Sequence, residues 1–457
     1  MARGKKKESA LTPEEKLAQA LVPDWEQPYK VPGNWSWVRL GSFSTNQYGY
    51  TAKAIDSNDL PKMLRITDIQ DSGVDWNTVP NCEIAETDLE KYLLKSNDIV
   101  IARIGATTGK SYLLKNPVNA VFASYLIRLR ISESFLPAYV YYFLQSDIYW
   151  KQISELSSGI ALPGVNSSKL QTMMFPAAPR FEQQRIVDRI EYLFAKLDEA
   201  KEKAQSVLDS FETRKAAILH KAFTGELTAK WRAEQSLGVE RWRSEYFKDV
   251  CTKITDGTHH SPPNTDEGEY MYVTAKNIKE YGVDLSNITY VSKEVHDEIF
   301  ARCDVRSGDV LYIKDGATTG IATVNTITEP FSLLSSVAVL RPLSGAVDPY
   351  YMAYNLNSSA TRAMMINNMS GNAITRLTLT KIKNAQIAVC SIDEQQEIVR
   401  ILDSLFAKEQ QAKEAAEAVL EKIDLLKTSI LARAFRGELG TNDPSEESAL
   451  ELLKSIL

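Results

Sequence analysis

The sequence predicts an α+β fold built twice, with two mixed domains separated by a two-helix antiparallel coiled coil and related by a pseudo-twofold internal repeat. Three observations carry this reading. Motifs recur 211 to 212 residues apart, two long stretches space their apolar residues three and four apart, and short β-rich runs alternate with helical segments between those stretches. A chain of 457 residues with 44% apolar and 25% charged residues exceeds one ordinary core and has the composition of a globular protein.

The repeat is clearest at two glycine turns. SNDIVIARIGATTG begins at Ser96 and SGDVLYIKDGATTG at Ser307, 211 residues on. Glu182-Gln183-Gln184 returns as Glu394-Gln395-Gln396, LFAK at Leu193 returns at Leu405, and the unit closes with AFTGEL at Ala222 and AFRGEL at Ala434. The intervening polar loops agree poorly, as expected of one scaffold carrying two binding surfaces or of drift between duplicated halves. The resulting division is 1–34, an N-terminal extension; 35–179, the first mixed domain; 180–227, the first long helix; 228–241, a linker; 242–389, the second mixed domain; 390–438, the second helix; and 439–457, a tail.

In the first helix the seam runs through Ile186, Ile190, Leu193, Leu197, Ala200, Ala204, Val207, Phe211 and Ile218. In the second it runs through Ile398, Leu402, Leu405, Ala412, Ala416, Val419, Ile423, Leu426 and Ile430. Seams this long and narrow usually pack on another helix, and each helix would reach about 60 Å. The linker, fully extended, spans roughly 45 Å, too little to return along a whole helix, so the helices are expected to pair antiparallel. Facing residues in such a pair share one index sum, which is 623 both for Arg214 with Glu409 and for Leu197 with Leu426. The expectation is a polar pair that sets register beside an apolar one; the alternative is that both charges reach solvent.

The mixed domains hold strand-like runs at Asp98–Ala102 and Asp309–Ile313 and helical runs from Pro137 and Pro349. The GATTG turn has one residue fewer between its glycines than a phosphate-binding P-loop, and Ile321 replaces the lysine in the second copy, so it reads as a conformational turn. Catalytic signals are thin. Ser261-Pro262-Pro263-Asn264 lacks the aromatic that would stack on a flipped base, and His259-His260, the only cluster among four histidines, has no second ligand group at metal spacing. Neither catalysis nor a metal site is expected. The loops at Gln47–Lys53 and Thr255–His260 are polar and partly aromatic, suited to base edges and phosphates. Candidate DNA contacts are Tyr48, Tyr50, Lys53, Arg103, Lys110, Thr258, His259, His260, Lys276, Asn277, Lys314 and Arg376, with Lys110 and Lys314 placed beside the turns to meet phosphate.

These residues resemble a family, the specificity subunits of type I restriction-modification enzymes. The resemblance covers nearly the whole chain, from GNWSWVRLGSF at Gly33 onward. It is carried most by the GATTG turns, by PAAPRFEQQRIVDRIEYLFAKLD from Pro176, by IAVCSIDEQQEIVRILDSLFAK from Ile387 and by the AF-x-GEL closures. Ser391-Ile392 stands where such sequences usually carry prolines. The resemblance implies two target-recognition domains, each reading half of a bipartite site in double-stranded DNA, with the coiled coil as a ruler for the spacer. It also implies two modification (methyltransferase) subunits supplying S-adenosylmethionine chemistry on flipped adenines, and restriction/translocase subunits working with ATP and Mg. No cofactor is expected in this chain itself.

A net charge of -6 argues against a chain that coats nucleic acid nonspecifically, so any positive surface is local or completed by partners. The basic N-terminus lacks the apolar run of a signal peptide, and no segment approaches the roughly 18 apolar residues that span a bilayer. Cys82, Cys251, Cys303 and Cys390 form no C-x-x-C pair and read as reduced thiols, so a cytoplasmic protein without membrane contact is expected. The competing class is a coiled-coil adaptor whose end domains bind proteins without DNA specificity.

Overall fold

Short apolar runs bounded by glycine, asparagine and proline become strands here, and the proline-led aromatic runs become helices. The computed structural model describes residues 11–56, 59–70, 73–157, 164–237, 242–367 and 377–457. Along the chain come α1 (Pro13–Ala20), β1 (Ser36–Arg39), β2 (Ser44–Tyr48), β3 (Lys62–Leu64), α2 (Glu86–Tyr92), β4 (Ile99–Ala102), β5 (Ser111–Leu113), β6 (Ala120–Phe122) and β7 (Leu126–Ile131). Then follow α3 (Pro137–Phe143), α4 (Asp147–Ser157), α5 (Ser167–Gln171), β8 (Met174–Ala177), α6 (Arg180–Asp209), α7 (Phe211–Phe223) and α8 (Ala229–Glu234). The second copy has β9 (Arg243–Tyr246), α9 (Phe247–Val250), β10 (Cys251–Asp256), β11 (Tyr270–Val273), β12 (Ile278–Lys279), β13 (Gly282–Val283), β14 (Thr289–Val291), α10 (Lys293–Arg302), β15 (Val310–Ile313) and β16 (Ala322–Val324). It continues with β17 (Ser332–Leu333), β18 (Val337–Pro342), α11 (Pro349–Asn357), α12 (Ser359–Asn367), α13 (Leu379–Lys383), β19 (Gln386–Val389), α14 (Ile392–Ala434) and α15 (Ala449–Lys454).

The chain divides into two compact units, Met1–Lys203 with Ala418–Leu457, and Ala204–Glu417. The first unit has a four-stranded sheet ordered β2-β7-β4-β5, and the second has one ordered β10-β18-β15-β16; both are antiparallel. Register repeats with the sequence offset: Ile101 pairs with Ile127 and Tyr312 with Ala338. Each unit adds a parallel pair, β3 with β6 or β11 with β17, and an equivalent antiparallel pair, β1 with β8 or β9 with β19; the second unit also pairs β11 with β14 and β12 with β13, both antiparallel.

Alternation along the central strand explains why it is buried on both faces. Ile99 and Ile101 of β4 pack under the helices with Phe143, Phe175 and Ile186, while Val100 and Ala102 pack on the opposite side with Leu64 and Phe122. In the second unit Val310 and Tyr312 face the helices, and Leu311 and Ile313 face Val273 and Phe331. The GATTG turns close the β4–β5 and β15–β16 hairpins. Gly109 donates to Ala102 O at 2.8 Å and Gly320 to Ile313 O at 2.9 Å. Gly109 sits at φ +95°, and a Cβ there would lie 3.0 Å from Ile153 and Trp150, so the turn is conformational on both counts.

Each long helix is fastened to its mixed domain by a buried carboxylate. Trp35 Nε1 donates to Glu182 Oε2 at 2.7 Å, and Trp242 Nε1 donates to Glu394 Oε2 at 3.1 Å. The next glutamine clamps the helical layer: Gln183 Oε1 accepts from Leu136 N, and Gln395 Oε1 from Asp348 N, both at 2.8 Å. The remaining partners differ. Glu182 accepts from Asn442 Nδ2 at 2.8 Å, whereas Glu394 meets Arg232 in a buried ion pair 2.5 Å long and accepts from Thr228 Oγ1 at 2.8 Å.

Helix pairing is antiparallel within each unit. In the second, Lys413 lies over the Phe211 ring, Arg214 meets Glu409 and Lys215 lies over Phe406, so position falls on one helix as it rises on the other. In the first, Lys427 bonds Asp198 at 2.7 Å, while Ile186 and Ile190 share a core with Leu431, Ala434 and Phe435.

Four features differ from the sequence expectation. The first helix is interrupted at Ser210, whose hydroxyl bonds Ser206 O at 2.5 Å, a back-bond that bends helices. The second helix is continuous, but its seam is not a strict heptad. Val419 and Leu426 are 40% and 47% exposed, and Lys427 turns inward in place of Leu426. A long helix at 3.6 residues per turn drifts off a 3.5 repeat, and this one follows its own period. The linker begins with α8, pinned through Thr228 and Arg232 to Glu394, so its described first half is helical and not extended. Finally, the N-terminal extension and the tail join the first core: Ala20, Ala449 and Leu453 are buried together.

All four cysteines are free, and burial pushes the Cys251, Cys303 and Cys390 thiols up to about 12. Among the described residues no helix is long and apolar enough to cross a membrane.

Removing Glu394 by Glu394→Ala strands a buried guanidinium and is expected to cost about 3–5 kcal/mol. Glu182→Ala strands neutral donors and should cost about 1–3 kcal/mol. Urea unfolding midpoints of the two variants test this order. Stability should also fall in acid. Burial raises the Asp304 carboxyl, but Lys253, Arg341 and Arg306 outweigh that and hold it at about 2, below its ordinary 3.8. Its contribution is complete above the unfolded value and lost as pH drops from near 4 through about 2. Asp304→Asn should flatten the pH dependence of thermal unfolding in that window.

Candidate nucleic-acid interface

Of the residues expected to meet DNA, Tyr48, Arg103, Thr258 and Lys314 lie where the first and third strands of the four-stranded sheets end. In the first unit Tyr48 closes β2 opposite Ile127, and Arg103 follows β4, next to the pair Ala102 with Leu126. Gly49 then brings the chain against Ala123, where a Cβ would lie 2.2 Å from a carbonyl oxygen, and only glycine fits. Tyr50 N donates to Phe122 O at 2.8 Å, and the loop beyond it presents Thr51 and Lys53 to solvent. Tyr50 and Lys53 line a cleft with Glu83 and Ile84.

Arg103 and Tyr48, far apart in sequence, come together. The Arg103 guanidinium lies 5.0 Å above the Tyr48 ring, and the Tyr48 hydroxyl accepts from Ser167 N at 3.0 Å. Arg103 N donates to Tyr125 O at 3.0 Å, and Tyr125 is 52% exposed. Lys110 leaves the glycine turn half-exposed, its carbonyl accepting from Ala102 N at 2.8 Å.

The second unit carries the same backbone with other side chains. Lys314 N donates to Ser336 O at 2.9 Å, as Arg103 does to Tyr125, and Leu377 N returns to Lys314 O as Val165 N does to Arg103 O. Asp256, opposite Ala338, occupies the place of Tyr48. Lys314 is only 6% exposed, its ammonium 2.9 Å from Asp315 and 3.5 Å from Asp256, so the sequence expectation of a phosphate contact fails: two carboxylates already neutralise a buried cation. Asn277 is likewise corrected. It is 6% exposed, its Oδ1 accepts from Thr274 N at 3.0 Å, and its Nδ2 donates to Asp284 O at 3.1 Å, which leaves no face for a base.

Thr258, His259 and His260 follow Gly257, which is pressed on Leu333 as Gly49 is on Ala123. Thr258 N donates to Leu333 O at 2.8 Å, and its Oγ1 accepts from His260 N at 3.3 Å. His259 is exposed, with Nε2 2.9 Å from an Arg302 nitrogen and 3.4 Å from Asp256. His260 and Lys276 are exposed, and Lys276 stands on the rim of a polar cleft with Ser261, Asn264, Thr274 and Tyr272. Burial pushes the Tyr272 phenol up to about 12. Arg376 lies outside the described residues.

Arg302, which holds Asp256 at 2.6 Å, was missed because it ends a helix 46 residues away and no local motif marks it. The register quartet divides. Arg214 Nε stands 2.8 Å from Glu409 Oε2, whereas Leu426 is 47% exposed and Leu197 half-buried. Among the described residues no group of three or more histidine, cysteine, aspartate or glutamate side chains could hold a metal ion.

One scaffold presented twice, with unlike polar tips, is the architecture of a binding protein with two reading heads. Residues 32–208 and 240–422 each match the type I restriction modification DNA specificity domain, and the chain therefore belongs to that family, as its specificity component rather than a catalytic one. It is 25% identical to the EcoKI specificity subunit of Escherichia coli K12 over 93% of this chain and 96% of that one. Against the StySPI specificity subunit of Salmonella potsdam the identity is 24% over 90% of each. The fold is similar to the HsdS subunit of Thermoanaerobacter tengcongensis, with TM-score 0.62 and 20% identity over 91% of this chain and all of that one. A second solved chain, from a study of complex assembly and conformational transition of the type I R-M system, gives TM-score 0.63 at 22% identity over 90% of this chain and all of that one.

Proposed function

We propose that this chain is the DNA-reading subunit of a cytoplasmic type I restriction-modification complex, each mixed domain reading one half of a bipartite site. The observation that carries this is the conserved backbone with exchanged tips: Arg103 on Tyr48 in one domain, Lys314 between Asp256 and Asp315 in the other. A repeat kept for packing alone has no need to differ there, whereas two reading heads for unlike half-sites do.

In this reading the paired helices set the spacer and form a pseudo-twofold coiled coil, since α6 and α14 each contribute residues to both units. The formal charge of -6 supports a division of labour in which two methyltransferase subunits complete the positive surface around double-stranded DNA. Those subunits would bring S-adenosylmethionine, and restriction/translocase subunits would bring ATP and Mg chemistry.

Inserting one heptad at matched points of both long helices, with methylation sites then mapped genome-wide in cells carrying the complete system, should lengthen the recognised spacer and leave both half-sites unchanged. Altered half-sites with an unaltered spacer would refute the ruler. Replacing residues 35–179 by another such domain should change one half-site alone.

A further inference from the structure

We infer that Arg103 is the specificity-determining residue of the first domain and that it reads the major-groove edge of a guanine; this rests on the DNA-reading assignment above. The other arginines between residues 35 and 179 are each committed to a carboxylate: Arg39 to Glu26, Arg65 to Asp68, and Arg128 and Arg130 to Asp98. Among the described residues Arg103 is the exception. Its Nε is enclosed without a hydrogen-bond partner, and its guanidinium is oriented by the Tyr48 ring at 5.0 Å instead of by an acid.

The scaffold does not demand a free cation at this place. The equivalent Lys314 holds the same two backbone hydrogen bonds and is neutralised by Asp256 and Asp315, with Asp256 where the first domain has Tyr48. Exchanging an acid for a tyrosine keeps the cation positioned while leaving its charge and donors unspent. Tyr48 is itself held by Ser167 N, and the backbone of Arg103 by Tyr125 O and Val165 N, so both members of the cation–ring pair are anchored before a ligand arrives.

A planar guanidinium with parallel N–H donors, held over an aromatic ring, matches guanine O6 and N7, which accept side by side in the major groove. A phosphate could also accept from it, but a guanidinium held over a ring, with its backbone and the ring both anchored, has a confined position, which a point-like phosphate contact does not require.

The test is binding selection from duplexes randomised through both half-sites, using the full chain co-expressed with its methyltransferase subunits, as wild type, Arg103→Ala and Arg103→Lys. Expected is the loss, in both variants, of roughly ten- to a hundred-fold preference for one guanine in one half-site, the other half-site serving as the internal control for folding. Retention of that preference overturns the inference. So does a uniform loss across all sequences with a salt slope reduced by about one, the signature of a phosphate contact. Wild-type complex without sequence preference would overturn the DNA-reading assignment itself, and this inference with it.

Discussion

At the first turn of each long helix a carboxylate, Glu182 or Glu394, accepts the indole N–H of the tryptophan that opens the mixed domain. A carboxylate taken out of water is tolerated only with its lone pairs engaged, and here several side-chain donors engage them. The contact ties three parts of the chain to one point: the domain entry, the helix start and a segment from the end of the other copy. In the first unit that segment brings Asn442, and in the second it brings Thr228 and Arg232. A reading head mounted this way keeps a defined orientation to its helix, because Glu and the neighbouring Gln are buried, Trp35 is buried and Trp242 half-buried, and all are bonded.

The same junctions explain how each unit is composed. The last turns of the first helix, through Leu219 and Ala222, are buried with Phe247 and Tyr351 of the second domain. The last turns of the second helix, through Ala434 and Phe435, are buried with Tyr139 and Phe175 of the first. Neither core is completed by its own repeat, so the AF-x-GEL closures are packing elements for the opposite copy. Repetition in sequence and exchange in space thus serve one requirement, the burial of each helix end.

Against this invariant frame, the strand ends are free to vary. Backbone hydrogen bonds at Arg103 and Lys314 are the same, and the glycines at 49 and 257 make the same close approach. The side chains diverge into an arginine over a tyrosine ring in one case and a buried lysine among acids in the other. Stability comes from the frame, and the tips need only be compatible with it, which is how one fold can host unlike recognition chemistries.

The sequence by itself determined the duplication, the α+β class, the long helices and the conformational glycine turn, because these follow from local spacing: an offset near 211, steps of three and four, and glycines where φ must be positive. The Arg214 and Glu409 contact was legible too, since an antiparallel register is arithmetic once two seams exist. The rest depends on contacts made in the folded chain. Lys314 and Asn277 read as surface groups, yet one is sealed by Asp256 and Asp315 and the other caps its own loop. Tyr48 and Arg103 were separate candidates until β2 and β4 placed them at the same sheet end, and Leu426 left the seam because a helix keeps its own period. Burial and charge pairing across dozens of residues are properties of the folded chain, and no local pattern encodes which acid a given cation will meet.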